Sequence, residues 1–195
     1  MDLLMRDAPE QHSVSRAMHR ADDATLTARA RSGDRRAFTA LLRRHDATMR
    51  RLAYRMLADA AAMDDALQEA YVKAYTALPG YRDDARFGTW LYRITYNACV
   101  DELRRRRRRP VPADRPLDEP SPAAGPERTV AAADAVRRSL AALPADQRAT
   151  VVLVDGEGFD HGTAAQILGV APGTVASRLS RARTALRRST KEIDR

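Results

Sequence analysis

The sequence predicts an all-α protein: two small helical domains joined by a Pro-rich flexible linker, the second of them carrying a helix-turn-helix. Three observations carry that expectation. The composition is rich in Ala, Leu and Arg with only nine Gly, which favours helices and leaves little β-branched material for strands. Apolar residues recur at helical spacing through about 22 to 109 and again through about 133 to 190. The stretch between them, PVPADRPLDEPSPAAGPERTVAA over 110–132, holds six of the ten prolines and no large apolar cluster. Such a segment is a partly extended spacer, about 3.1 Å per residue where polyproline II forms.

Residues 1–21 are polar, without a repeat of apolar positions, and read as a mobile tail. A short helix follows from Asp22 to Ser32 and is ended by Gly33; Asp34 then caps a second helix with Phe38, Leu41, Leu42 and His45 on one side. His45 fits the edge of a core better than a ligand set. Met49, Leu52, Ala53, Met56 and Leu57 continue the helical spacing, and 59–63 reads as a break. The next helix, DALQEAYVKAYTAL, starts at Asp64 or Asp65 and is stopped by Pro79 and Gly80. Its core stripe is Leu67, Ala70, Tyr71, Ala74 and Leu78. The opposite face presents Asp65, Gln68, Glu69, Val72 and Lys73, where Val72 is a mild sign of docking on an otherwise solvated surface.

After a polar loop comes the long element FGTWLYRITYNACVDELRRRRRR, packed through Leu91, Ile94 and Ala98. It holds Trp90, Tyr92 and Tyr96 among basic residues, an arrangement that suits single-stranded nucleic acid because bases stack on rings while cations meet phosphates. Burial in the core is the competing reading, and it weighs more for Trp90 than for Tyr92 or Tyr96. The Arg104 to Arg109 run is either a nucleic-acid clamp or a charged helix end favoured by the helix dipole. Cys99, the single cysteine, reads as a small packing residue.

The second domain begins with 133–143, and Pro144 then starts a helix in LPADQRATVVLV with Val151, Val152 and Val154 partly buried. In DHGTAAQILGVAPGTVASRLSRARTALRR, Asp160 caps a first helix with Ala164, Ile167 and Leu168 on one face, and Gly169 ends it. Pro172 suits the first turn of a second helix, whose Val175, Leu179, Ala182 and Leu186 form one apolar stripe. This is a helix-turn-helix from His161 to Ser180. Thr174, Ser177, Arg178 and Arg181 lie near the start of its second helix, the end that meets base edges in the major groove, and Arg183 follows. An amphipathic helix with a solvated basic face is the bland alternative; cap, Gly turn, Pro start and stripe all agree on the motif.

Net charge is +8, but its placement says more. Gly88 to Arg109 carries seven Arg against two acids, and Pro172 to Arg195 carries seven Lys or Arg against two acids, so two separate basic surfaces are expected to meet nucleic acid. One cysteine excludes an internal disulfide and any zinc site of paired cysteines. There is no apolar run of signal-peptide or membrane-spanning length, and a cytoplasmic protein without membrane insertion is expected. No Gly-rich phosphate loop, metal-ligand cluster or activated nucleophile stands out, so neither an enzyme nor a bound cofactor or metal is expected.

Taken jointly, DALQEAYVKAYTALPGYR, FGTWLYRITYNACVDELRRR, LPADQRATVVL and GVAPGTVASRLSRAR resemble the sigma-70 family of bacterial transcription initiation factors, in its small extracytoplasmic-function (ECF) class. Their order and spacing are far more specific than any one of them. The resemblance implies a promoter-specificity subunit of RNA polymerase, involved in stress responses and without catalysis of its own. It implies that Asp65, Gln68, Glu69, Val72 and Lys73 dock on the clamp helices of the largest polymerase subunit, with the flap of the second subunit a further contact. Arg82, Arg86, Phe87, Tyr92, Tyr96 and Asn97 would hold the opened non-template strand of the −10 element. Thr174, Ser177, Arg178, Arg181 and Arg183 would read the −35 duplex. An anti-sigma factor, commonly membrane-linked, is the implied regulator.

Two departures from the family pattern stand out. Asp160 to Ala165 replaces a common Ser-Tyr-Glu-Glu-Ile-Ala run, and Gly162 costs about 1 kcal/mol of helix propensity, which predicts a weaker or later-starting first helix. Ala176 replaces a frequent Lys and removes a phosphate contact. The competing function is a stand-alone helix-turn-helix repressor or response regulator, which would bind a palindromic operator tightly as a dimer without polymerase.

Overall fold

The computed structural model describes residues 23–82, 86–108 and 127–193; the tail, most of the linker and part of the polar loop after Tyr81 lie outside the described residues. Helix α1 spans 23–31, and Gly33 takes the positive φ (+92°) of the turn after it. Helix α2 (Arg35–Leu57) begins because the Asp34 carboxylate accepts hydrogen bonds from the Arg36 and Ala37 amides. It ends at Ala58, a non-glycine residue in the left-handed region at φ 54°, whose amide donates to Tyr54 O.

Helix α3 is Ala60–Ala77, closed by a 3₁₀ turn over Leu78–Gly80 where Pro79 and Gly80 were expected to stop it. It starts earlier than the expected Asp64 or Asp65. Asp59 is the cap, accepting from the Ala62 amide at 2.9 Å, and the alanines behind it are strong helix formers, so the expected break shrinks to Ala58 and Asp59. Helix α4 (Phe87–Arg108) packs against both α2 and α3. Leu41, Met49, Leu52, Met56, Leu78, Leu91 and Ala98 are fully enclosed between these elements.

Helix α5 (Glu127–Ala142) begins inside the stretch read as linker. Helix α6 (Ala145–Val151) starts after Pro144 and runs into a π-helical turn, Val152–Gly156. Helix α7 (His161–Leu168) starts directly after its Asp160 cap, which accepts from both the amide and the hydroxyl of Thr163. The later start expected from Gly162 is therefore not found; the doubly bonded cap fixes the first turn. Gly169 closes α7 at φ 66°, and Pro172 opens α8 (Pro172–Ile193). Val175, Leu179 and Ala182 of α8 are buried as the stripe predicts, with Leu143, Val151 and Leu186 around the last two.

The two halves touch one another. Helix α7 packs on α4, and the π-helical turn and α5 pack on α2, so one apolar core runs through both domains. Arg148 ties them: its guanidinium donates to the Met56 carbonyl in the last turn of α2 and to Ala141 O and Leu143 O at 2.6 and 3.1 Å. Burial pushes the Arg148 pKa down, and the nearby Arg107 charge adds to this.

Leu91 has no exposed surface. Leu91→Ala is expected to destabilise the protein by about 2–5 kcal/mol in urea unfolding. Ala58→Gly is expected to stabilise it by about 1 kcal/mol in the same assay, since Gly carries no penalty in the left-handed region.

Candidate functional site

Three surfaces carry the candidate residues. On α3, Asp65, Gln68, Val72 and Lys73 are exposed and Glu69 is half-buried, opposite the buried Leu67, Ala70 and Ala74. Val72 keeps 60% of its surface in solvent. Beside it runs a shallow groove of about 520 Å³ lined by Arg50, Asp64, Leu67, Gln68, Tyr71, Val72 and Tyr75. Tyr75, 41% exposed, was not among the expected residues. Its place three positions after Val72, one helical turn along the same face, was the available signal. Charges frame the apolar strip: Lys73 bridges Glu69 at 2.7 Å and Asp101 at 3.5 Å, and Arg105 reaches Glu69 at 3.2 Å. The Lys73 hydrogen bond, and then Arg105, hold the Glu69 carboxyl below its usual value.

On α4 the structure divides the candidates. Arg82, Arg86 and Asn97 are exposed. Phe87 is not on that surface: it is 4% exposed, packed 5.5 Å from Trp90 and 5.6 Å from His45 between ring centroids, and Tyr81 lies 5.0 Å from Trp90. These rings are core, as the competing reading held for Trp90, because a helix start has to close the apolar end of the bundle. His45 accordingly sits at the core's edge, hydrogen-bonded to Asp23 at 2.8 Å. Tyr92 is likewise enclosed, at 5%, by Phe159 of the second domain, ring edge to face at 4.8 Å. Tyr96 is half-buried, and burial raises its pKa. Of the arginine run, Arg105 and Arg106 both bridge Glu102, Arg106 also bridges Asp59 at 2.8 Å, and Arg104 is well exposed. Cys99 is fully buried, and burial pushes its thiol pKa up to about 12, which is that of a packing residue.

On α8, Arg181 and Arg183 are exposed, and Thr174, Ser177 and Arg178 are half-buried. Two of the arginines are held by acids of their own domain: Arg178 meets Asp146 at 3.1 Å and Arg183 grips Asp155 with two hydrogen bonds of 2.6 and 3.0 Å. Ser177 donates to Thr174 O, so its hydroxyl is partly committed to the backbone. The candidate cations of α8 therefore divide between Arg181, which is exposed, and Arg178 and Arg183, which are held against α6 and the π-helical turn, on a helix preceded by a capped helix and a tight turn. That is the geometry of a recognition helix.

One constellation was not anticipated from the sequence. Glu157, in the turn after the π-helical segment, has a side chain only 6% exposed and is held by Arg51 at 3.2 Å and Arg55 at 3.0 Å, both from α2. The Tyr92 hydroxyl donates to it at 3.4 Å. Burial first, and the Glu157 charge next, drive the Tyr92 pKa upward. The partners stand 65 to 106 positions from Glu157 along the chain, beyond any local periodicity. Among the described residues no cluster of potential metal ligands occurs, and no helix is long and apolar enough to cross a membrane.

Residues 41–109 match Sigma-70 region 2, and residues 133–186 match Sigma-70, region 4. The chain is 44% identical over 170 residues to the ECF RNA polymerase sigma factor SigM of Mycobacterium tuberculosis, covering 87% of this chain and 85% of that protein. It is 32% identical over 176 residues to the ECF RNA polymerase sigma-E factor of Escherichia coli, covering 84% and 92%. Among solved structures it resembles CnrH in complex with the cytosolic domain of CnrY (TM-score 0.69, 27% identity, 88% of this chain and 98% of that one). It also resembles the sigma factor RpoE in complex with the anti-sigma factor NepR from Bartonella quintana (TM-score 0.65, 26% identity, 81% and 98%). With both regions matched in order and similarity running along most of its length, the chain belongs to the sigma-70 family of RNA polymerase sigma factors, in its extracytoplasmic-function class.

Proposed function

We propose that this sigma factor docks on core RNA polymerase through the exposed face of α3 and directs initiation by reading two promoter elements, with no catalysis of its own. The observation that carries the docking assignment is Val72: an apolar residue 60% exposed at the centre of a helix face, beside Tyr75 and an open groove, framed by paired charges. A repressor that works without polymerase has no need of such a face. Gln68, Asp65, Glu69 and Lys73 would set orientation around it, because rim charges steer and align more than they add affinity.

Arg82, Arg86 and Asn97 are the accessible candidates for the opened −10 strand, with Arg104 extending the basic surface along α4. Tyr92 and Tyr96 join them only where the second domain moves off α4. On α8, Arg181 stands ready for DNA, and Arg178 and Arg183 would exchange Asp146 and Asp155 for promoter groups. Surface pairs of this kind are worth about 0–1 kcal/mol, so that exchange costs little. Each domain alone binds weakly, and polymerase raises the effective concentration of one element for its reader once the other is engaged. The protein would act in the cytoplasm and be held in check by an anti-sigma factor, as the two solved relatives bound to partners suggest.

Val72→Glu is expected to weaken binding to core polymerase at least about tenfold while leaving the thermal unfolding midpoint unchanged, since the side chain supports no core. Equal affinity of the variant and the unsubstituted protein in a polymerase titration would remove the α3 face from the interface. Arg178→Ala is expected to weaken promoter binding of the polymerase complex by about 1–3 kcal/mol, selectively at one base pair of the −35 element if the contact is bidentate to a base. A loss that is uniform across promoter sequences would assign Arg178 to a phosphate instead. Tight binding of the purified protein to a palindromic duplex, with no response to polymerase, would favour the repressor.

A further inference from the structure

Arg82 and Arg86 are exposed, but the residues that flank them are clasped together. Tyr81, just before Arg82, and Phe87, just after Arg86, are both enclosed, and their rings meet edge to face at 6.1 Å. Trp90 completes the cluster, 5.0 Å from Tyr81 and 5.5 Å from Phe87 between ring centroids. The Trp90 amide also donates to the Arg86 carbonyl at 3.0 Å, which fixes Arg86 as the residue on which α4 starts. Three rings thus hold the two points from which the candidate −10 arginines leave the domain.

His45 of α2 stands behind this clasp. Its ring lies 5.6 Å from that of Phe87, and a Cβ on Gly88 would stand 3.1 Å from His45 Cε1, so glycine is what lets the imidazole lie against the first turn of α4. The other side of the ring is held as well. The Asp23 carboxylate, on α1, accepts from His45 Nε2 at 2.8 Å and from Arg44 Nη1 at 2.8 Å. Burial by itself would raise the Asp23 pKa, but the hydrogen bonds from His45 and then Arg44 bring it below its usual value, so the carboxylate stays charged. An aliphatic side chain would fill the same space at the core's edge; a ring bonded to a charged acceptor adds a fixed direction.

We propose that His45 is a positioning residue for the opened −10 strand: anchored by Asp23, it holds Phe87 and Gly88 in one setting and so fixes the directions in which Arg82 and Arg86 leave the clasp. This rests on the functional reading above, in which those arginines meet the unstacked strand. A loop whose base is already ordered loses less conformational freedom on binding, and discrimination among bases depends on donors that are already aimed. Loosening His45 therefore lowers base discrimination, while docking on polymerase, which uses the exposed face of α3, is left as it was.

The test uses the full chain bound to core polymerase and a random-sequence pool of single-stranded DNA, with the bound fraction sequenced and compared with that held by core polymerase alone. The unsubstituted protein should enrich a short motif. His45→Ala should flatten the base preference at one or more positions of that motif by at least about threefold, with affinity for core polymerase unchanged. A ratio of enrichment among bases does not depend on how much of the protein is folded, so loss of stability alone would leave it unmoved. Asp23→Ala should flatten the same positions, and Asp23→Asn, which keeps an oxygen to accept from His45 Nε2, should recover part of the preference. Gly88→Ala should flatten them when His45 is present and add nothing to His45→Ala, since the imidazole supplies the close contacts there. An unchanged preference in His45→Ala, no recovery in Asp23→Asn over Asp23→Ala, or lowered polymerase affinity with the preference intact would each overturn the positioning role. If the unsubstituted complex enriches no motif beyond that of core polymerase, the functional reading itself falls, and this role with it.

Discussion

Helix α4 has a side committed to each of three neighbours, and only what remains of its circumference faces solvent. Leu91 and Ala98 face the bundle of α2 and α3, Trp90 and Phe87 close its first turn, and Tyr92 faces the second domain. Asn97 and Arg104 are left outside. A helix that is both the centre of a core and part of the outer surface needs its residue types sorted by angle, and the aromatic residues fall mostly on the inner side. This is why the rings nominated for stacking turn out to hold the domain together or to lie under the other domain, while cations and an amide form the accessible face.

Charge pairing shapes the rest. The chain is strongly basic, yet many of its arginines meet acids of their own fold at the surface: Arg50 with Asp46 and Asp64, Arg178 with Asp146 and Arg183 with Asp155. Exposed pairs of this sort add little stability and dissolve readily in favour of a phosphate. Glu157 differs because its carboxylate is almost out of solvent, where losing its partners would strand a buried charge. The same chemistry therefore gives loose ties on the exposed surfaces and a firm one between the domains.

The helices and their caps were largely legible, because Asp34, Asp160, Gly169 and Pro172 act on the residues beside them. The α8 stripe of Val175, Leu179 and Ala182 was legible for the same reason, a fixed period read along one element. Boundaries were less so: Asp59 caps α3 several residues ahead of the carboxylates that looked like its start, and a string of alanines carries no periodicity to mark where helix begins. Packing between domains was not legible at all. Nothing local in Tyr92, Arg55 or Glu157 says that they meet, and the Pro-rich segment between the domains suggested separation where the structure brings them together. The exposed face of α3 was half legible; Val72 stood out against its polar neighbours, whereas Tyr75 needed the groove beside it to be seen.

The central claim is that this chain, added to core polymerase, chooses where transcription begins. Run-off transcription by core RNA polymerase on a library of genomic promoters, with and without the protein, tests it most directly. The account predicts discrete start sites that depend on the protein and share two sequence elements, one for each reading domain. Transcripts that are the same with and without it, while the free protein protects specific duplex sites by itself, would contradict it.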